Sequence, residues 1–422
     1  SIAAYIDIDH PEITSFMDMR KPTGGTIDKK CFNLNNAVNI TDSFMEKMAK
    51  GEDYELIDPK HGPTGEYLNA REVWEELMQT RFETGEPYIM FKDTVNRNIP
   101  KWITHPFYTV DQSNLCVAPE TMILTDNGYQ PIAELEDEEV RVWNGEEYSS
   151  TIVRKTGENQ RLIKVTTESG YELECTPYHK FYIFDGYGKA YKEVRAHELQ
   201  QGDKLAKFDL PVVEGRKTLD KAYVNGFYSG DGTSVGDTQR VYLYGEKRKL
   251  EHLFGDMSWY HQEDQDRQLT HFRDLKEKFF VPSTDYTIES RLDWLAGFAD
   301  ADGCIYRNGD DNQLVMSSVE KNFLKEIQLM LQTLGVSAKI QLLSDAGFRK
   351  LPANDGTGEL KDFWCQESYR LIVTSCDLFK LMQLGFKPHR LDIVARRPQR
   401  DAKHFVKVES VIDHGRVDDT YC

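Results

Sequence analysis

Two groups of residues in this chain have the types and spacing to do chemistry. The first is Cys116 with Thr176-Pro177-Tyr178-His179, sixty residues further on. A cysteine thiol can attack the carbonyl of the residue before it, here Leu115, and form a thioester. The amide must then be held and polarised, and the departing nitrogen must receive a proton. Thr176 and His179 are three residues apart and can reach the same peptide, Thr176 to orient the bond and His179 to serve the nitrogen. The same residue types also fit a buried Cys and a surface His in an ordinary β domain, and chemistry alone leaves both readings open.

The second group is Asp231 and Asp302. They close two helix-like segments, Val224-Asn225-Gly226-Phe227-Tyr228-Ser229-Gly230-Asp231-Gly232 and Leu295-Ala296-Gly297-Phe298-Ala299-Asp300-Ala301-Asp302-Gly303, an internal repeat with a period of 71 residues. Gly226/Gly230 and Gly297/Ala301 recur about one helical turn apart, so each helix has a flat side. Two such helices can pack backbone to backbone and bring the two acids together. Each acid sits just before a glycine expected to let the chain turn. Paired carboxylates repel, and a shared proton or a bridging cation relieves the repulsion. Mg²⁺ prefers oxygen ligands, keeps several waters and can activate one of them for hydrolysis. Two unrelated helices with terminal acids are the plain alternative. It is weakened because a helix C-terminus disfavours negative charge.

The elements that must position these residues change along the chain. Residues 2–8 read as a strand, Lys21–Gly25 as a turn, and 71–84 as a helix with Val73, Trp74, Leu77 and Met78 on one face. From Cys116 to about 212 the pattern is short β runs, including 161–167, 171–175 and 180–184. Asn-Gly or Asp-Gly turns stand at 127–128, 144–145 and 185–186. Mixed helices and strands follow from 217. Strands are expected near 312–318, 337–343 and 369–374, and helices at 320–334 and 377–384.

With 422 residues, 39% hydrophobic and 29% charged, the chain can build several cores. No apolar run is long enough to span a membrane, and the first residues lack the basic start of a signal peptide. They also lack an initiator Met, as if cut from something longer. Seven scattered cysteines (31, 116, 175, 304, 365, 376 and 422) lack zinc-site spacing, which points to free thiols in a reducing, cytoplasmic setting. The net charge of −18 speaks against general nucleic-acid binding. Residues 217–400 are nearly neutral, however, and carry Lys247-Arg248-Lys249 and Arg396, Arg397 and Arg400. Contact with DNA fits that segment best.

The two acid-ended segments resemble the LAGLIDADG homing endonucleases. The second copy is nearly the family motif; the first keeps two glycines and the last acid and departs elsewhere. The resemblance implies that Asp231 and Asp302 hold Mg²⁺ and each help hydrolyse one strand of double-stranded DNA. It also implies a β saddle that grips the target and a Lys near the metals, for which Lys278 is the candidate. The degenerate first copy leaves open an endonuclease that binds without cutting. Cys116–Leu124 resembles the opening block of an intein, 176–179 its TxxH block, and Val417–Cys422 its next-to-last block, with Asp419 as the assisting acid. Splicing of this kind needs no cofactor. Inteins end in Asn, whereas this sequence stops at Cys422, so a fragment or the N-terminal partner of a split intein is expected. A reductase-like enzyme with a DNA-binding insert that does not splice is a third reading.

The stretches Asp9–Ile13, Asn33–Ala37 and Ser113-Asn114-Leu115-Cys116 are similar to the large chain of ribonucleotide reductase. That similarity implies that Asn114 binds the ribonucleotide, that the spliced product carries the radical Cys at position 116, and that a radical-generating small subunit is the partner. The expected architecture is therefore multidomain: an α/β reductase barrel fragment (1–115), an all-β Hint splicing domain (116–216 and 401–422), and an inserted α+β endonuclease of two pseudo-symmetric repeats (217–400).

Overall fold

The computed structural model describes residues 2–21, 30–31, 34–97, 116–184, 191–207, 209–262, 267–308, 311–352, 360–394 and 405–422. Ser113, Asn114, Leu115, Arg396, Arg397, Arg400, residues 22–25 of the first expected turn and the expected turn at 185–186 lie outside them. The chain divides into two units, 1–114 and 115–422. Among the described residues no helix is long and apolar enough to cross a membrane.

The first unit has a parallel sheet in which Leu34–Ile40 lies between Ile2–Asp7 and Tyr88–Phe91. Helix Ala70–Thr84 begins at Asn69, whose side chain accepts from the Arg71 and Glu72 amides, and stops at Gly85 in the left-handed region. Val73 and Leu77 are buried with Ile8, Ile13, Met17, Val38 and Ile40, while Trp74 and Met78 pack at the margin. One apolar stripe thus closes one core.

In the second unit the β part is assembled from two distant stretches. A six-stranded sheet runs in the order Glu172–Cys175, Ile163–Thr167, Phe405–Ile412, Lys204–Ala206, Lys180–Phe184, Tyr191–Arg195. The strand Phe405–Ile412 is inserted between strands from the earlier stretch, pairing with Ile163–Thr167 on one side and Lys204–Ala206 on the other. Val417–Tyr421 pairs with Lys155–Arg161. The run 161–167 is two strands rather than one. It breaks at Leu162, whose amide donates to the Arg416 carbonyl (2.9 Å), because the chain changes partner there from Val417–Tyr421 to Phe405–Ile412.

Between these stretches lie two similar halves. Helix Ala222–Asp231 leads into the sheet Gly232–Val235, Thr238–Tyr244, Arg267–Phe272, Tyr260–Gln262, and helix Ile288–Asp302 into Gly303–Asn308, Asp311–Ser318, Ser368–Val373, Ala338–Ser344. Both sheets have their sequential strands in the spatial order first, second, fourth, third. The halves differ after the second strand, where one has a 3₁₀ helix, Gly245–Phe254, and the other an α-helix, Lys321–Gln332.

Candidate functional site

The two acid-ended helices touch through their backbones. A Cβ on Gly226 would lie 1.8 Å from the Trp294 carbonyl oxygen, and one on Gly297 would lie 1.9 Å from that of Tyr223. A Cβ on Gly230 would come within 2.8 Å of Asp302 Oδ2, which places that carboxylate against the residue preceding Asp231. The glycines after the acids do not have the left-handed conformation expected of a turn. Gly232 has φ −110° and Gly303 φ −93°, both ordinary values. What they provide is room, since a Cβ would strike Tyr228 or the Ala299 carbonyl.

Burial raises the Asp231 carboxyl above its usual range, against the pull of Lys247, to which it is ion-paired. Asp302 is open to solvent on one side, yet burial of the rest and the nearby Asp231 push it up to about 6. Lys278 lies in a turn, not on a helix face, and donates to the Gly232 carbonyl at 2.5 Å. Burial lowers its ammonium although both acids raise it. Sequence reading missed two contributors here. Lys247 was visible only as one member of a basic run. Arg390 donates to the Ala299, Asp300 and Gly303 carbonyls at 3.2, 2.6 and 2.6 Å, a cation on the negative end of the second helix. Asp300, the other acid of that motif, is fully buried and accepts from Tyr223 Oη (2.8 Å) and the His389 and Arg390 amides (2.7 and 2.9 Å). It holds structure rather than facing the pair.

Among the described residues no cluster of three or more His, Cys, Asp or Glu side chains could hold a metal. Two carboxylates that repel each other, at the carbonyl ends of two helices, suit a cation that keeps most of its waters. Oxygen donors with open positions suit a hard, hydrated cation such as Mg²⁺ rather than Zn²⁺.

The other group gathers around Cys116. Its Sγ accepts from Thr156 Oγ1 at 3.3 Å, and that hydroxyl also lies 3.1 Å from the Thr420 carbonyl oxygen. Burial raises the thiol above its ordinary value, while the Thr156 and Thr420 hydroxyls oppose this. The Thr176 amide donates to the Cys116 carbonyl (3.1 Å), and Val117 exchanges amide–carbonyl bonds of 3.0 Å with Tyr421. The His179 ring lies close to the Cys116 backbone, which favours its protonated form. Burial pushes its imidazole down to about 4, so the ring is neutral near pH 7. Thr176 Oγ1 and His179 Nδ1 are buried and have no hydrogen-bond partner among the described residues. Orphan polar atoms of this kind are unfavourable in a purely structural setting and are expected where a reacting group must be met. Asp419 has a different neighbour. It is ion-paired with Lys155 at 2.8 Å, while Thr420, one residue on and wholly buried, faces Cys116. Thr156 and Thr420 were not found in the sequence because pairing of distant strands alone brings them to the thiol.

Residues 1–130 match the ribonucleotide reductase barrel domain, and residues 289–383 match a LAGLIDADG-like domain. The chain is 41% identical over its whole length to the ribonucleoside-diphosphate reductase large subunit of Invertebrate iridescent virus 6, and covers 46% of that protein. It is 27% identical over 99% of its length to the ribonucleoside-diphosphate reductase NrdEB subunit alpha of Bacillus subtilis strain 168, again covering 46%. With the large subunit of Invertebrate iridescent virus 3 the identity is 33%, but the match takes in only 30% of this chain and 28% of the relative. The chain therefore spans about half the length of the relatives that match it throughout.

Proposed function

We propose that this homologue of ribonucleoside-diphosphate reductase large subunits is a host chain interrupted after Leu115 by a self-splicing β domain, which itself carries a DNA endonuclease. The observation that carries the reading is the six-stranded sheet. Its strand Phe405–Ile412 fits between strands that precede the endonuclease, and Val417–Tyr421 returns the chain to Val117, beside the nucleophile. A domain closed in this way is continuous in space and interrupted in sequence. The comparisons support this, because some reductases align with the whole chain and others with under a third of it.

In the reaction, the Cys116 sulfur bonds to the Leu115 carbonyl carbon, the Leu115–Cys116 C–N bond breaks, and the thiol proton ends on the freed amine. The Thr156 and Thr420 hydroxyls orient the thiol, the Thr176 hydroxyl meets the amide, and neutral His179 relays the proton to nitrogen. In the endonuclease, Asp231 and Asp302 would hold Mg²⁺, with Lys278 and Lys247 to neutralise charge beside them. The bound ion would supply a water of lowered pKa and stabilise charge on the phosphate. The substrate is duplex DNA of an uninterrupted reductase gene across the insertion point. Asn114 would bind the ribonucleotide once splicing restores the enzyme, which would then need a radical-generating small subunit.

Expression of the whole reductase gene tests the proposal. Two products are expected, a joined reductase and a separate β–endonuclease protein, resolved by intact mass. A single uncut product carrying the insert would instead support the non-splicing, DNA-binding alternative.

A further inference from the structure

Arg416 has no role in the chemistry derived above, yet its side chain touches the segments that carry Cys116, Thr176–His179 and Thr420. It stands at the head of Val417–Tyr421, the strand that brings Thr420 to the thiol. Its Nη1 donates to Glu120 Oε1 and to Glu174 Oε2, both at 2.5 Å. Its Nη2 donates to Glu120 Oε2 at 3.0 Å and to Asp418 Oδ2 at 2.6 Å. Glu120 lies four residues after Cys116. Glu174 lies two residues before Thr176, and its carbonyl accepts from the Ala118 amide at 2.9 Å. Three carboxylates from three separate stretches thus converge on one guanidinium, with its contact to Glu120 two-pronged.

A single exposed ion pair contributes little. A planar fork bound to both oxygens of one carboxylate, and shared with two more, fixes direction as well as distance. Without it, three acids would face one another beside the nucleophile, and their repulsion would push apart the strands that hold Cys116, Thr176 and Thr420. We infer that Arg416 is a positioning residue for the thioester step, a clamp that seats the C-terminal strand against the Cys116 and Thr176–His179 segments. The inference rests on the splicing reading.

The test uses the full chain and the plateau rate of thiol-induced cleavage at Leu115–Cys116, reached at saturating thiol. Arg416→Ala is expected to lower this plateau about tenfold or more, the scale of lost hydrogen bonds between charged groups. Arg416→Lys, which keeps charge but not the fork, should fall between Ala and the parent. Millimolar guanidinium, far below denaturing levels, should enter the vacated site and restore part of the Ala variant's rate, while equal urea should not. A plateau within twofold of the parent would overturn the clamp. So would a loss that neither guanidinium nor the Lys variant recovers, since that is the mark of general misfolding. If the parent itself releases nothing on thiol treatment, the splicing reading fails, and that result is separate from either outcome for Arg416.

Discussion

At the residue scale, burial sets the behaviour of His179 and Asp302 in opposite directions. His179 stays neutral down to about pH 4, whereas an unfolded chain would protonate it near its ordinary value of 6.5. Between those values the unfolded state binds more protons, so stability is present above about 6.5 and is lost as pH falls towards 4. The contribution is on the order of 3 kcal/mol. In urea titrations across this range, His179→Gln should remove that part of the pH dependence; an unchanged profile would show that His179 is not the group. In the proposed reaction His179 also relays the proton, so His179→Ala should slow thiol cleavage by about 10²-fold. At the acid pair, Asp302 holds a proton below about 6, so divalent-cation binding should weaken as pH falls through that value. Calorimetric titration with Ca²⁺ checks this, and Asp302→Asn should abolish the binding together with its pH dependence. These residues were legible because each lies in a local pattern: Cys116, the block from Thr176 to His179, and the two repeated acids. Thr156, Thr420, Lys247, Arg390 and Arg416 were not legible. Each acts across a pairing or packing contact that no local spacing encodes.

At the scale of elements, the glycines at the helix contact are decided by space. Gly297→Ala would force a methyl onto the Tyr223 carbonyl and should destabilise the chain by about 3 kcal/mol, the upper end for overpacking. Gly347 has ordinary backbone angles, and a Cβ there would meet nothing within 4 Å, so Gly347→Ala should be nearly neutral. Chemical denaturation of the two variants separates them; equal midpoints would contradict the close packing. The small-residue spacing made this contact readable in advance. Gly232 and Gly303 do not have the turn conformation expected of them, because a glycine that turns the chain and a glycine packed on the last turn of its own helix look alike in sequence. Period and turn residues placed a minority of the strands but several helices, among them 71–84 and 320–334 and the strands 180–184 and 312–318. The break at Leu162 escaped, since the β-forming pattern runs straight through a change of partner.

At the scale of the whole molecule, the second unit joins a β part to the two acid-ended halves by buried and half-buried polar contacts as well as by chain. Gln328 Nε2 donates to Ser169 and Ala338 carbonyls, both at 2.9 Å, and Glu172 pairs with Lys164, Lys321 and Lys325 at 3.1, 3.0 and 2.9 Å. The discontinuous β domain was readable only as an order of motifs; its closure depends on strand pairing across more than two hundred residues. If the insert is an active endonuclease, Asp231→Asn should stop cleavage of uninterrupted reductase DNA in Mg²⁺ while leaving binding largely intact, because phosphate contacts made elsewhere dominate affinity. Binding without cleavage by the parent would mark a dead endonuclease. Mass spectrometry of the chain after treatment with a small thiol tests self-cleavage at Leu115–Cys116. Residues 1–115 should be released as a C-terminal thioester of that thiol, with no release from Cys116→Ala. Equal release from Cys116→Ala, or none from the parent, would rule out Cys116 as the splicing nucleophile.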